Sequence, residues 1–137
     1  MATVETTYLG DLRTEAIHLQ SQSRLITDAP VDNQGKGEAF SPTDLLAASL
    51  TSCMLTIMGI AAKNHGIALG KIEASTTKIM QANPRKVAEI QIVLNFSADA
   101  SFSVHDRRIL QQAAETCPVY LSLHPDIVKN LTFNWPS

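Results

Sequence analysis

Hydrophobic and polar positions repeat at two different periods along this chain, and the changes of period mark its elements. Val4 to Leu9 is rich in β-branched residues and runs into the turn signal Gly10-Asp11. Arg13 to Leu19 follows as a short bounded segment, so the two predict a hairpin. A third short strand is predicted near Arg24 to Thr27. From Asp28 to Phe40 the pattern stops. Pro30, Asp32, Asn33, Gly35 and Gly37 make this a loop of about a dozen residues, a length often tied to function.

The period then becomes helical. Ser41-Pro42-Thr43-Asp44 puts a serine at the N-cap, a proline at the first helical position and a carboxylate at the third. This is a capping box with Asp in the usual Glu position. Apolar residues run from Leu45 to Ala62, and Gly66 closes the helix. Pro42 to His65 would be about 36 Å long, against a radius of gyration of about 14 Å for a domain of this size. Apolar residues wrap most of its circumference, and such a helix is buried on all sides. One short chain cannot easily cover it, so the pattern predicts a dimer around this helix. Ala47, Ala48, Ser49, Ser52, Ala61 and Ala62 would let another helix approach closely. Ser49, Thr51, Ser52, Thr56 and Gly59 interrupt the segment too often for a membrane span.

Period-two character returns from Ile67 to Met80, with a slip before Ile79, and from Val87 to Phe96. The second of these is the cleanest alternation in the chain, and Asn83-Pro84-Arg85 between them predicts a long hairpin. Ser103-Val104-His105-Asp106 repeats the capping pattern and opens a helix from Val104 to Thr116. Cys117-Pro118 ends it. A short helix over Val119 to Leu123 and a closing strand from Ile127 to Trp135 complete the reading.

Composition narrows the function. The 137 residues predict a single domain covering 1–137. Eleven Lys and Arg against thirteen Asp and Glu give a formal charge of -2. No basic footprint for nucleic acid is present. No charged start precedes an apolar stretch, so the expectation is a cytoplasmic protein with no membrane partner. The four histidines have no ligand spacing, and no metal or other cofactor is expected.

Chemistry therefore rests on two cysteines. Two separated thiols read first as small buried hydrophobes. Cys53 lies about three turns into the central helix, where the helix field is weak and an outside cation would be needed to acidify it. Cys117 lies at a helix junction, where N–H groups of the next turn would face its sulfur and favour a thiolate. An attacking and a resolving thiol is the functional reading. Sequence separation does not establish that the two meet.

The run Ser41-Pro42-Thr43-Asp44-Leu45-Leu46-Ala47-Ala48-Ser49-Leu50-Thr51-Ser52-Cys53 resembles the central-helix motif of the OsmC/Ohr family, the osmotically inducible and organic hydroperoxide resistance proteins. Glu115-Thr116-Cys117-Pro118-Val119-Tyr120 resembles that family's second-cysteine motif. The element order fits across essentially the whole chain. The resemblance implies an α+β fold: long buried central helices packed against antiparallel sheets in an intertwined homodimer. It implies reduction of organic hydroperoxides, with Cys53 as the reactive thiol and Cys117 as the resolving one. A dithiol such as a lipoylated protein would return the electrons, with no metal, haem or flavin. The family's activating arginine falls in the N-terminal strand and turn region, where Arg13 is the first candidate and Arg24 the second. The family's glutamate falls on Thr43, so Glu38 in the preceding loop is taken as the candidate acid. Leu50, Met54 and Ile57 would give the site apolar walls. That departure places the chain in an OsmC-like branch. It leaves two other readings open: a redox-sensing or disulfide-exchange protein with little turnover, and a non-catalytic ligand-binding dimer.

Overall fold

A computed structural model describes residues 1–137. Six strands, one long helix and two shorter ones divide into two compact units, Met1–Leu46 and Ala47–Ser137.

The first unit holds an antiparallel sheet in the order β1 (Val4–Gly10), β2 (Arg13–His18), β3 (Arg24–Asp28). The β1–β2 turn is tight because Asp11 and Leu12 both take positive φ, at 53° and 64°. Such a turn matches the twist of the strands, but Leu is a poor choice for it. Two hydrogen bonds hold it there: Leu12 N–H donates to the Tyr8 hydroxyl at 3.3 Å, and Ala29 N–H donates to the Leu12 carbonyl at 3.1 Å. Register places Arg13 opposite Asp28. The loop beyond contains a short 3-10 turn at Val31–Asn33 and returns to the sheet through a bridge between Thr27 and Phe40.

The second unit holds a sheet in the order β4 (Ile72–Gln81), β5 (Lys86–Phe96), β6 (Val128–Asn134). β4 and β5 form the predicted long antiparallel hairpin, and β6 runs parallel to β5. The slip before Ile79 has a physical counterpart. Register shifts between Ile79 and Met80, so that Ala88 is the extra residue of a bulge. The segment from Ile67 to Lys71, expected as strand, lies outside β4, although Ile67 and Leu69 still pack on the core.

Helix α1 (Pro42–Asn64) opens on the expected capping box. Asp44 N–H donates to the Ser41 hydroxyl at 3.0 Å, and Ser41 N–H donates back to the Asp44 carboxylate at 3.0 Å. Ala47, Leu50, Thr51, Met54, Met58 and Ala62 are buried at helical spacing. Along this stripe α1 joins Ile90, Ile92, Leu94 and Leu110 in one core. Burying each large member contributes about 1.5–3 kcal/mol. By length and composition α1 is long and apolar enough to cross a membrane; one face is that of a core helix. Its other faces keep apolar surface open, and Ile60 is 51% exposed.

Helix α2 (Val104–Glu115) also begins on a complete capping box, Ser103 with Asp106. Thr116 caps its end, and Cys117 is the N-cap of α3 (Pro118–Ser122). Phe96, Phe102, Phe133 and Trp135 stack beside α2, and the Arg107 guanidinium lies 5.6 Å from the Trp135 ring centre.

Candidate functional site

The second unit brings the two cysteines together. Cys53, on α1, is partly exposed; Cys117, at the α2–α3 junction, is fully buried, and both are free thiols. Although 64 positions separate them in sequence, their side chains lie close enough for Cys53 to influence the ionisation of Cys117. Cys117 sits there because Pro118 stops the helical path and makes its residue the cap of the next turn. Tyr120 N–H donates to its sulfur at 3.4 Å, as expected for an N-cap facing the following turn.

That N–H does not decide the ionisation of Cys117. Burial pushes its thiol up, above the ordinary value; the N–H groups of Tyr120 and Val119 pull the other way and are outweighed. Hydrogen bonding to Cys53, and any negative charge there, raise it further. The expectation that the junction would favour a Cys117 thiolate is therefore corrected: desolvation wins. The thiol is a neutral, sealed neighbour of a partly open one.

The first unit holds a separate charged cluster. Arg13 grips Asp28 in a fork, with Nε to Oδ1 and Nη2 to Oδ2, each at 2.8 Å. Asp28 is only 2% exposed. Its Oδ2 also accepts the backbone N–H of Glu38 at 3.0 Å. The Glu38 carboxylate lies further out, 3.8 Å from Arg13 Nη2. The guanidinium's hydrogen bonds hold the Asp28 carboxyl below the usual aspartate range despite its burial, helped by the Glu38 N–H and the charge of Lys36. The same bonds raise Arg13 in turn.

Arg24, the second candidate, is on the outer part of β3, where it pairs with Glu15 at 3.1 Å. Thr43 is within hydrogen-bond range of the Ser41 hydroxyl at 3.3 Å, and Asp44 serves the helix cap. Of the residues expected to wall the site, Leu50 and Met54 are sealed in the core, and Ile57 alone stays partly open. Leu50 and Met54 are three residues and one residue from Cys53 on α1, and the sheet-facing stripe takes them. Asp28 was missed. Its signal was present: closing the β2–β3 hairpin one residue beyond Thr27 sets it opposite Arg13, an opposite-charge cross-strand pair. No group of three His, Cys, Asp or Glu side chains is placed to hold a metal ion.

Comparison with known proteins gives this arrangement its context. A protein of Psychrobacter arcticus 273-4 named for osmotic stress induction and a detoxification response is 53% identical, with a TM-score of 0.91 over 97% of this chain and 96% of that one. An organic hydroperoxide resistance protein OsmC from Legionella pneumophila is 18% identical, with a TM-score of 0.73 over 98% of each chain. An organic hydroperoxide resistance protein from Elizabethkingia anophelis is 14% identical, with a TM-score of 0.71 over 98% of this chain and 96% of that one. At these lower identities the likeness is one of fold, mixed α and β with the same architecture. No curated protein matches the chain. The OsmC-like protein family model matches residues 35–132, a span that includes both cysteines and begins after Arg13 and Asp28. The chain belongs to the OsmC-like family.

Proposed function

We propose that this protein is a cytoplasmic two-cysteine peroxidase that reduces organic hydroperoxides to alcohols, works as a homodimer, and is reset by an external dithiol such as a lipoylated protein. One observation carries the reading: a partly exposed thiol and a sealed thiol lie close enough for the first to influence the ionisation of the second. Family membership supports a role in peroxide resistance or redox chemistry.

The cycle follows from that pairing. Cys53 thiolate attacks the distal peroxide oxygen, the O–O bond breaks, and the alkoxide takes a proton and leaves as the alcohol. Cys53 is left as a sulfenic acid. Cys117 then attacks the Cys53 sulfur, gives up its proton, and water leaves as the disulfide forms. The dithiol reduces the disulfide by exchange and is itself oxidised. The ionisation of Cys117 supports this order. Negative charge on Cys53 opposes charge on Cys117; a neutral sulfenic acid removes that smaller opposition, while burial, the larger cause, continues to hold the second thiol up. In this reading Arg13 is the cation that stabilises the thiolate, and Glu38 is an outer acid near it. Exposed apolar side chains on α1 and in the first unit, Ile60 and Tyr8 among them, support a second copy as their cover.

The test is consumption of cumene or tert-butyl hydroperoxide by the purified protein with a dithiol reductant, beside Cys53→Ser. Turnover lost in the variant supports the peroxidase. A folded dimer without turnover contradicts it and favours redox sensing or disulfide exchange.

A further inference from the structure

We propose that the reducing dithiol enters at the Cys53 sulfur and that Cys117 is the leaving sulfur, which never carries the external thiol. The proposal rests on the paired-thiol reading above and adds which atom of the pair meets the reductant. A thiolate opens a disulfide by approaching one sulfur in line with the S–S bond and expelling the other, so access decides which of the two is attacked. The structure makes the two unequal. Cys117 has no exposure, and it shares one buried core with Leu110 and Ala114, which have none either. Its junction is tied down as well. Tyr120 N–H donates to the sulfur at 3.4 Å, Leu121 N–H donates to the Cys117 carbonyl at 3.1 Å, and the Lys129 ammonium lies 5.1 Å from the Tyr120 ring centre, linking α3 to β6. Cys53 is partly exposed. Ser49 and Ile57, one turn to either side of it on α1, are partly exposed too, so the strip of helix that bears it is not sealed.

The exchange then runs in two steps. A thiolate of the dithiol attacks Cys53 Sγ. The new S–S bond forms to Cys53, the Cys53–Cys117 bond breaks, and its electron pair leaves on Cys117, which takes a proton. The dithiol's second thiolate then attacks the dithiol's own sulfur in the mixed disulfide, closing a ring and releasing Cys53 as a thiolate. Two electrons pass from the dithiol to the protein. Leaving-group chemistry pulls against this direction, because burial pushes the Cys117 thiol up and such a sulfur departs less readily. The N–H groups of Tyr120 and Val119 offset part of that by favouring the charged form. A poorer leaving group slows an attack, whereas a sealed core keeps the reductant from the sulfur altogether, so burial decides the outcome.

The experiment closes the disulfide with diamide, which needs no peroxide activity, and opens it with β-mercaptoethanol, a thiol small enough to give the buried sulfur its best chance. The reaction is quenched in acid at the earliest times and digested with pepsin, and mass spectrometry locates the mixed disulfide. The expected result is an adduct on the Cys53 peptide, with Cys117 recovered as a free thiol. An adduct first seen on the Cys117 peptide overturns the proposal, as does a disulfide that opens only after urea is added. Because an adduct can pass between neighbouring sulfurs, each thiol is also offered the disulfide of β-mercaptoethanol alone. Cys53 in Cys117→Ala is expected to take the adduct in the folded protein, and Cys117 in Cys53→Ser only in urea. Labelling of folded Cys53→Ser as fast as folded Cys117→Ala overturns the proposal. The parent protein needs no substitution, so a variant that fails to fold leaves the test in place. If diamide closes no bond between the two cysteines, the paired-thiol reading falls and this proposal with it. If the bond closes and a contrary result follows, this proposal falls alone.

Discussion

The two units of this chain are held together by different physics. In Ala47–Ser137 the buried residues are apolar apart from Thr51: Leu50, Met54, Met58, Ile90, Ile92, Leu94 and Leu110 have no exposure. In Met1–Leu46 the buried residues are polar: Thr27, Asp28 and Ser41. The apolar side chains of that unit, such as Tyr8, Leu9 and Phe40, are more than half exposed. The second unit therefore has a core that drives folding by removing apolar area from water. A three-stranded sheet without such a core is marginal in water. The first unit relies on ladder hydrogen bonds and one buried ion pair, which give geometry more readily than net stability. The contrast fits the division of chemistry: the apolar unit seals a thiol, and the polar unit fixes a guanidinium.

The largest expected break is in the second unit. Ile92→Ala should cost about 2–5 kcal/mol, read as a lower urea midpoint with unchanged slope; a loss under 1 kcal/mol would deny that this core dominates. Next is cover for the exposed apolar side chains. If a second copy supplies it, raising protein concentration a hundredfold should add about 2.7 kcal/mol to stability. A midpoint independent of concentration would contradict the dimer. Smaller again is the α2 cap: Ser103→Ala should cost about 1 kcal/mol, seen in thermal unfolding. The smallest effect expected is in acid, since the Arg13 side chain is itself 35% exposed. Asp28 is depressed by Arg13, so its contribution is fully present above the unfolded aspartate value of about 3.9 and is lost as pH falls through the lower folded one. Hydrogen exchange of the Thr14 and Thr27 amides should speed up over that acid range in the parent, and the step should vanish in Asp28→Asn.

Much of this was legible beforehand because local rules and the fold agree. Both capping boxes, the Asn83-Pro84-Arg85 turn and the alternation in β5 fixed where elements begin and face. The slip near Ile79 was visible as a broken period, although a period alone does not say that a bulge at Ala88 causes it. The parallel pairing of β6 could not be read, since strand direction depends on the path between strands. The meeting of Cys53 and Cys117 was likewise a matter of tertiary approach across 64 positions. Asp28 was lost to a boundary one residue short. Leu50 and Met54 were assigned to an open wall because an all-apolar helix does not announce which face meets its sheet.

The central claim is that Cys53 and Cys117 are an attacking and a resolving thiol. The most direct measurement is mass spectrometry of the reduced protein after one equivalent of tert-butyl hydroperoxide, with and without Cys117→Ser. A disulfide between the peptides bearing Cys53 and Cys117 in the parent, and a sulfenic acid trapped on Cys53 in the variant, is the predicted result. Both thiols still open to alkylation after the peroxide has been offered would contradict it.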